Sequence, residues 1–365
     1  MQKLDWYILK KFLVTFFFCL FIFTTIAVAV DTSEKTDNFV SSGLSFIELI
    51  KQYYAGFIPW IWGLLFPIFV FIAVIFFTSR LAMGSEIIAI LASGVSYNRI
   101  LRPYLAGGLL FGLMLWFGNH TIIPHANITR SKYHNKYLDG DNIYNDRNYS
   151  GCNNCFYLRA DTNTFVGLKD FNQVTKIGYG FAMQKVDGEK VVYNLRGETI
   201  RWDSLRHHWQ LLNAMERIVD SMGEKVLKHD SLIIDFKVNP KELRKDKFLK
   251  DKLTTPELNA YIKQEELRGT EGLNAYKVEY YRRTATPFAV LLLTLIGAVI
   301  ATRRIRGGSG LHLAIGIAIA AIYILFDRFS TVFSIKGNFP PVMAAWLPNF
   351  VFLFVAWGLY RLTPK

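Results

Sequence analysis

Six stretches of 19 to 24 residues contain no Asp, Glu, Lys or Arg, and they constrain this chain more than any other feature. They are Phe12–Val30, Phe57–Ser79, Pro103–Ile123, Thr284–Thr302, Gly307–Phe326 and Gly337–Tyr360. A helix needs roughly 20 apolar residues to cross a hydrocarbon core of about 30 Å. Each stretch therefore reads as a membrane-spanning helix, although His120 and His312 interrupt the third and the fifth. Segregation of this kind excludes a soluble cytoplasmic enzyme, a disordered tail and a disulfide-framed secreted module. Lys3, Lys10 and Lys11 before the first stretch also resemble a signal-peptide start. That stretch is long for an h-region, and its Ala-Val-Ala-Val-Asp end is only weakly like a cleavage site, so it reads as a retained helix.

Charge then orients the spans. Forty-two basic against 29 acidic residues give a net charge of +13. With the N-terminus cytoplasmic, that side holds Lys3, Lys10, Lys11, Arg80, Arg99, Arg102, Arg303, Arg304, Arg306, Arg361 and Lys365, and the opposite short loops hold only Lys35, Lys51 and Lys336. Eleven against three is a positive-inside pattern. Both termini are expected inside and the long middle segment outside, and the basic excess needs no nucleic acid.

The expected organisation is membrane α-helical, with an inserted all-β domain on the outer side. Residues 1–124 carry spans one to three, 125–253 the β-domain, 254–283 an elbow helix and 284–365 spans four to six. Strand-like runs begin at Phe156, Thr164, Val191, Glu198, Trp209 and Leu232, with turn signals at Asp187-Gly188 and Met222-Gly223. From Pro256 to Arg283 the apolar spacing turns helical.

The cytoplasmic connection from Arg80 to Pro103 carries the most specific motif. Ser85 is placed to cap a short helix within about 84–97, and Glu86 in the first turn suits the helix dipole. Ile87, Ile90 and Leu91 would form its exposed apolar face, ending near Gly94 with Ser96 as a second cap. Such a helix either seats in another protein's groove or rests on lipid.

The run Ser85-Glu-Ile-Ile-Ala-Ile-Leu-Ala-Ser-Gly-Val-Ser96, followed by Arg102-Pro103, resembles the coupling segment of the lipopolysaccharide-export permease family, the F and G membrane subunits of the Lpt transporter. Leu4-Asp5-Trp6-Tyr7-Ile8, Pro124, and the run from Leu258 through Glu279-Tyr-Tyr-Arg-Arg283 to Pro287 match the family in the same order. The similarity covers nearly the whole chain and is thin over 130–250; Leu4-Asp5 and Val30-Asp31 lean towards the G branch. It implies a β-jelly-roll outer domain and a paired homologous permease, F with G. It also implies a cytoplasmic ABC ATPase dimer (the B subunit), periplasmic C and A bridge components, and lipopolysaccharide as the cargo. The chain has no Gly-x-x-x-x-Gly-Lys-[Ser/Thr] phosphate loop, so ATP would be bound by the partner.

The resemblance assigns ATPase coupling to Ser85, Glu86, Ile87, Ile90, Leu91 and Gly94, with the Glu86 carboxylate paired to a basic group of the ATPase. It places Lys35 near lipid phosphates, although Asp31, Glu34 and Asp37 flank it and it also reads as an ordinary loop charge. Arg328 belongs to the same outer ring, with Asp327 as its local partner. Phe16 and Phe23, in aromatic-rich span one, suit either an acyl-chain wall or a lipid-facing surface. Gly108 and Gly112 form a small-xxx-small pair for close helix packing. Cys152 and Cys155 read as a local disulfide or free thiols. No metal, cofactor or intrinsic catalytic group is expected. The rival readings are a subunit of another lipid or lipoprotein ABC exporter and a periplasmic sensor without an ATPase.

Overall fold

The computed structural model describes residues 3–134, 137, 156–161, 163–172, 175–188, 190–204, 206–220, 223–234, 248–267, 272–302 and 308–362. Cys152, Cys155 and the Arg303–Arg306 cluster lie outside the described residues. Two compact units emerge. The first contains Met1–Leu138, Phe248–Asn259 and Asn274–Lys365; the second contains Asp139–Lys247 and Ala260–Leu273.

The first unit is helical. Its described elements are α1 (Lys3–Glu34), α2 (Thr36–Ser41), α3 (Phe46–Leu49), α4 (Ala55–Met83), α5 (Glu86–Ala92), α6 (Tyr97–Phe117) and α7 (Ile123–Tyr133). After the sheet come α8 (Leu249–Lys252), α9 (Thr255–Leu267), whose residues from Ala260 belong to the second unit, α10 (Asn274–Ala301), α11 (Gly308–Lys336) and α12 (Pro341–Arg361). π-helical turns at Ile50–Tyr54 and Gly118–Ile122 make α3 continuous with α4 and α6 continuous with α7. Among the described residues six helices are long and apolar enough to cross a membrane, matching the six uncharged stretches. The helix expected from Pro256 to Arg283 is divided instead: α9 ends at Leu267 and α10 starts at Asn274, after Gly272 at φ +80°.

Burial follows helical period. Along α1, Ile8, Phe12, Phe16 and Leu20 recur every fourth residue and are buried, whereas Phe17, Phe18 and Phe21 are exposed. Phe12 and Phe16 meet Phe111 of α6 at centroid separations of 5.1 and 4.1 Å. Phe16 is fully buried, with no surface left for an acyl chain, which corrects its expected place in a lipid wall. Phe23 is partly buried and stacks on Phe69 of α4 at 5.2 Å.

Close approach is bought at glycines. A Cβ on Gly108 would meet the Thr294 side chain at 3.2 Å, and one on Gly112 would meet the Pro287 carbonyl oxygen at 3.0 Å. The small pair in span three therefore faces α10, as its spacing suggested. Buried Asn349 of α12 ties three helices together. Its amide donates to the Ala285 carbonyl at 2.8 Å, and its oxygen accepts from the Tyr323 hydroxyl at 3.1 Å.

The second unit carries a seven-stranded antiparallel sheet of β1 (Phe156–Asp161), β2 (Thr164–Leu168), β3 (Asp170–Asn172), β4 (Ile177–Asp187), β5 (Lys190–Asp203), β6 (His208–Asp220) and β7 (Gly223–Ile234). The order is β1-β2-β4-β5-β6-β7, with β3 also pairing β4. The all-β expectation holds. Among the described strands the chain meanders between neighbours, without the Greek-key crossover that the term jelly roll ordinarily carries. The runs at Val191 and Glu198 are one strand, β5, rather than two. Gly197, which looks like a turn residue, gives room to Leu211 across the pair: a Cβ there would lie 2.4 Å from the Leu211 side chain. One face of the sheet buries Val166, Phe181, Leu195, Ile200, Trp209 and Leu211.

Candidate functional site

Glu86 of α5 and Lys35 lie at opposite ends of α1, whereas Phe16 and Phe23 lie within it and Arg328 is on α11. At the start of α1 lies α5, a helix of only seven residues. Ser85 precedes it in the left-handed region at φ 55° and makes no side-chain cap, contrary to its expected role. Gly94, at φ +82°, follows it. Ile87 is 2% exposed and Ile90 is partly buried, both in the cluster that includes Leu4, Ile8 and Phe12. Leu91 is exposed at 36%, as expected, but its outward companion is Ile88 at 47%. Expectation and structure differ because a helix this apolar has two candidate inner faces, and the pattern alone does not choose between them.

Glu86 turns towards α1. Its carboxylate accepts a hydrogen bond from the Tyr7 hydroxyl at 2.8 Å and lies 3.4 and 3.5 Å from the Lys11 ammonium. Lys11 also sits 4.4 Å above the Tyr7 ring. Neither Tyr7 nor Lys11 stood out as a site residue in the sequence, although their four-residue spacing puts them on one helix face.

At the other end of α1, Lys35 is held within the chain. Its ammonium donates to Asp31 and to the Tyr53 hydroxyl, and the same hydroxyl donates to Asp31 at 3.0 Å. The ammonium also faces the Tyr53 and Phe57 rings at 4.9 and 5.6 Å. Asp31 is buried, and among the described residues its Oδ2 has no hydrogen-bond partner. Beside this cluster lies an apolar cavity of about 420 Å³ between the ends of α1 and α4 and the connection joining them, lined in part by Val28, Phe39, Val40, Phe46, Leu49 and Ile58. The Thr32 and Tyr54 hydroxyls, 2.7 Å apart, belong to its wall.

Further charged residues sit in the helical unit. Arg130 lays its guanidinium 3.7 Å from the Trp60 ring centre. Arg282 reaches Asp327 at 3.3 Å and donates to Thr331 of α11. Asp327 therefore pairs across helices, not with its neighbour Arg328, which is exposed. Buried Arg283 donates to the Lys250 carbonyl at 3.0 Å and to the Thr255 hydroxyl at 3.2 Å. Burial and then the Glu279 carboxylate push Asp251 up to about 6, against the opposing pull of Lys250, Arg130 and Arg283. Among the described residues no group of three or more His, Cys, Asp or Glu is placed to hold a metal ion.

A short, anchored helix at one end of six spans and an apolar cavity at the other suit a transporter of amphiphiles. The family model described as lipopolysaccharide export system permease LptF/LptG matches residues 6–362. The chain belongs to the LptF/LptG permease family. The family is the permease of lipopolysaccharide export, a transport component and not an enzyme, and the description spans both branches. With six apolar helices, membership marks an integral inner-membrane protein. No curated protein is similar to the chain at a significant level.

Proposed function

We propose that the chain works as one permease of an ATP-driven pair, taking lipopolysaccharide from the outer leaflet of the inner membrane and passing it to a periplasmic bridge. The family match along nearly the whole chain carries this reading. In it both termini are cytoplasmic, the β-unit is periplasmic, and α5 docks on a separate ABC ATPase dimer. The exposed Ile88 and Leu91, flanked by Ser85 and Gly94, offer the ATPase an apolar ridge; Ile87 and Ile90 anchor the helix from behind. A homologous permease completes the channel, and the C and A components receive the cargo.

The cavity at the outer end of α1 supports the lipid side of the reading. Its lining is almost wholly apolar, as acyl chains require, and burial of each methylene is worth about 0.8 kcal/mol. Lys35 stands beside it as the cation for a phosphate, provided Asp31 yields its hold; exposed Arg328 and half-buried Phe23 remain further substrate contacts. The test is purification of the chain in mild detergent, followed by reconstitution in vesicles containing lipopolysaccharide. Co-purification of a soluble ATPase and a second permease, with ATP-dependent release of lipopolysaccharide to a periplasmic acceptor, is the expected result. A chain isolated alone that moves no lipid when its ATPase is supplied would overturn the reading.

A further inference from the structure

We infer that Glu86 is the mechanical link between the docking helix and span one, with Tyr7 and Lys11 as the positioning residues that hold it. The inference rests on the permease reading above and assigns the carboxylate to this chain's own α1 rather than to a basic group of the ATPase. The geometry is specific. Tyr7 and Lys11 lie one turn apart on α1, and both direct their polar atoms at the same carboxylate, 2.8 and 3.4 Å away. The ammonium above the Tyr7 ring keeps the two donors together.

The apolar side of α5 is shared more widely: Ile87 and Ile90 belong to one packed cluster with Leu4, Ile8 and Phe12 of α1, Leu81 and Ala82 of α4, and Tyr97, Ile100 and Leu101 of α6. The backbone leaves α5 little alternative, since it is seven residues long and bounded by left-handed residues at Ser85 and Gly94. The polar contacts that fix the start of α5 come from α1, some 75 to 79 positions away in sequence.

Span one is also suited to receive a push. With α11, α1 is the least buried of the six candidate spans. A helix held lightly by its neighbours yields to a force applied at its end, whereas α10 is buried along most of its length. A displacement of α5 by the ATPase is thus delivered to α1 through the Glu86 carboxylate. At its far end α1 carries the Asp31–Lys35–Tyr53 cluster and one wall of the cavity.

The experiment uses the full assembly in vesicles containing lipopolysaccharide, with ATP turnover and lipid release measured together. Lys11→Ala combined with Tyr7→Phe is expected to retain the ATPase and its turnover. Lipid released per ATP should drop at least about fivefold, the low end of measured coupling between sites. The charge exchange Lys11→Glu with Glu86→Lys is expected to recover most of it. A second variant, Lys11→Cys with Glu86→Cys, is expected to be uncoupled until a short bis-maleimide joins the two thiols and restores release. Wild-type release per ATP in the Lys11→Ala, Tyr7→Phe variant would overturn the inference. So would a crosslinked pair that stays uncoupled, since α5 must then swing free of α1. Failure of the permease reading itself looks different: the unaltered chain would neither bind an ATPase nor release lipid with ATP.

Discussion

Lys35 shows how a residue's surroundings decide what its mutation reports. Its charge lies within a partly buried pair with Asp31, backed by the Tyr53 hydroxyl. Removing one member of a buried pair typically costs about 3–5 kcal/mol because the other charge is left unpaired. Lys35→Ala is therefore expected to lower thermal stability in detergent whatever the lipid does, and Lys35→Glu to lower it further. Lys35→Met with Asp31→Asn should recover much of that loss by removing both charges. Lipid crosslinking in the double variant, compared with wild type, then isolates the contribution of the ammonium to binding. Asp251 carries a pH dependence of its own. Its folded pKa stands near 6, above the ordinary 3.8, so the folded state holds the extra proton between those values. The stability this supplies is complete below about 3.8 and is lost as pH rises through about 6. Thermal unfolding midpoints of wild type should fall relative to Asp251→Asn across that window.

At the scale of elements, Gly56 governs how span two meets the continuation of span three. A Cβ there would lie 2.5 Å from the Ala126 carbonyl oxygen and 2.6 Å from the Arg130 nitrogen, both backbone atoms that cannot rotate away. Gly56→Ala is expected to force α4 and α7 apart and cost about 1–3 kcal/mol, the usual range for overpacking. A lowered melting temperature in detergent checks it, and loss of the Arg130 stack on Trp60 would appear as changed tryptophan fluorescence. The spans themselves were legible, because a charge every few residues is intolerable across a bilayer and its absence leaves gaps of the right length. The faces were not. Hydropathy does not separate a residue touching lipid from one touching another helix, which is why Phe16 and Ile87 turned inward where an outward place was expected. β4 was missed for a different reason: Gly178 and Gly180 interrupt its pattern, yet a Cβ at Gly178 would clash with Leu168 and Ile200, so the glycine serves packing. The link from Tyr7 and Lys11 to Glu86 joins residues far apart in sequence, and no local pattern announces such a meeting.

For the whole molecule, the arrangement expected from loop charges makes opposite ends of α1 face opposite compartments. In intact cells, Gly188→Cys in the β4–β5 turn is expected to react with a membrane-impermeant maleimide reaching the periplasm. Gly94→Cys, beside α5, should react only after the inner membrane is opened. Neither substitution meets a neighbouring atom within 4 Å, although both glycines have positive φ, so a modest loss of stability is expected with each. The reverse labelling pattern would place the sheet in the cytoplasm and remove the proposed route of the lipid.

The length of α1 has a consequence of its own. At 32 residues and about 1.5 Å per residue it extends some 48 Å, well beyond a hydrocarbon layer of about 30 Å. Such a rod emerges from the bilayer on both sides, or leans until it does not. Rocking it about the membrane midplane lifts one tip as the other dips, and a thinner or thicker host membrane resets its resting angle. The tilt of α1 thereby depends on the thickness of the bilayer that holds it.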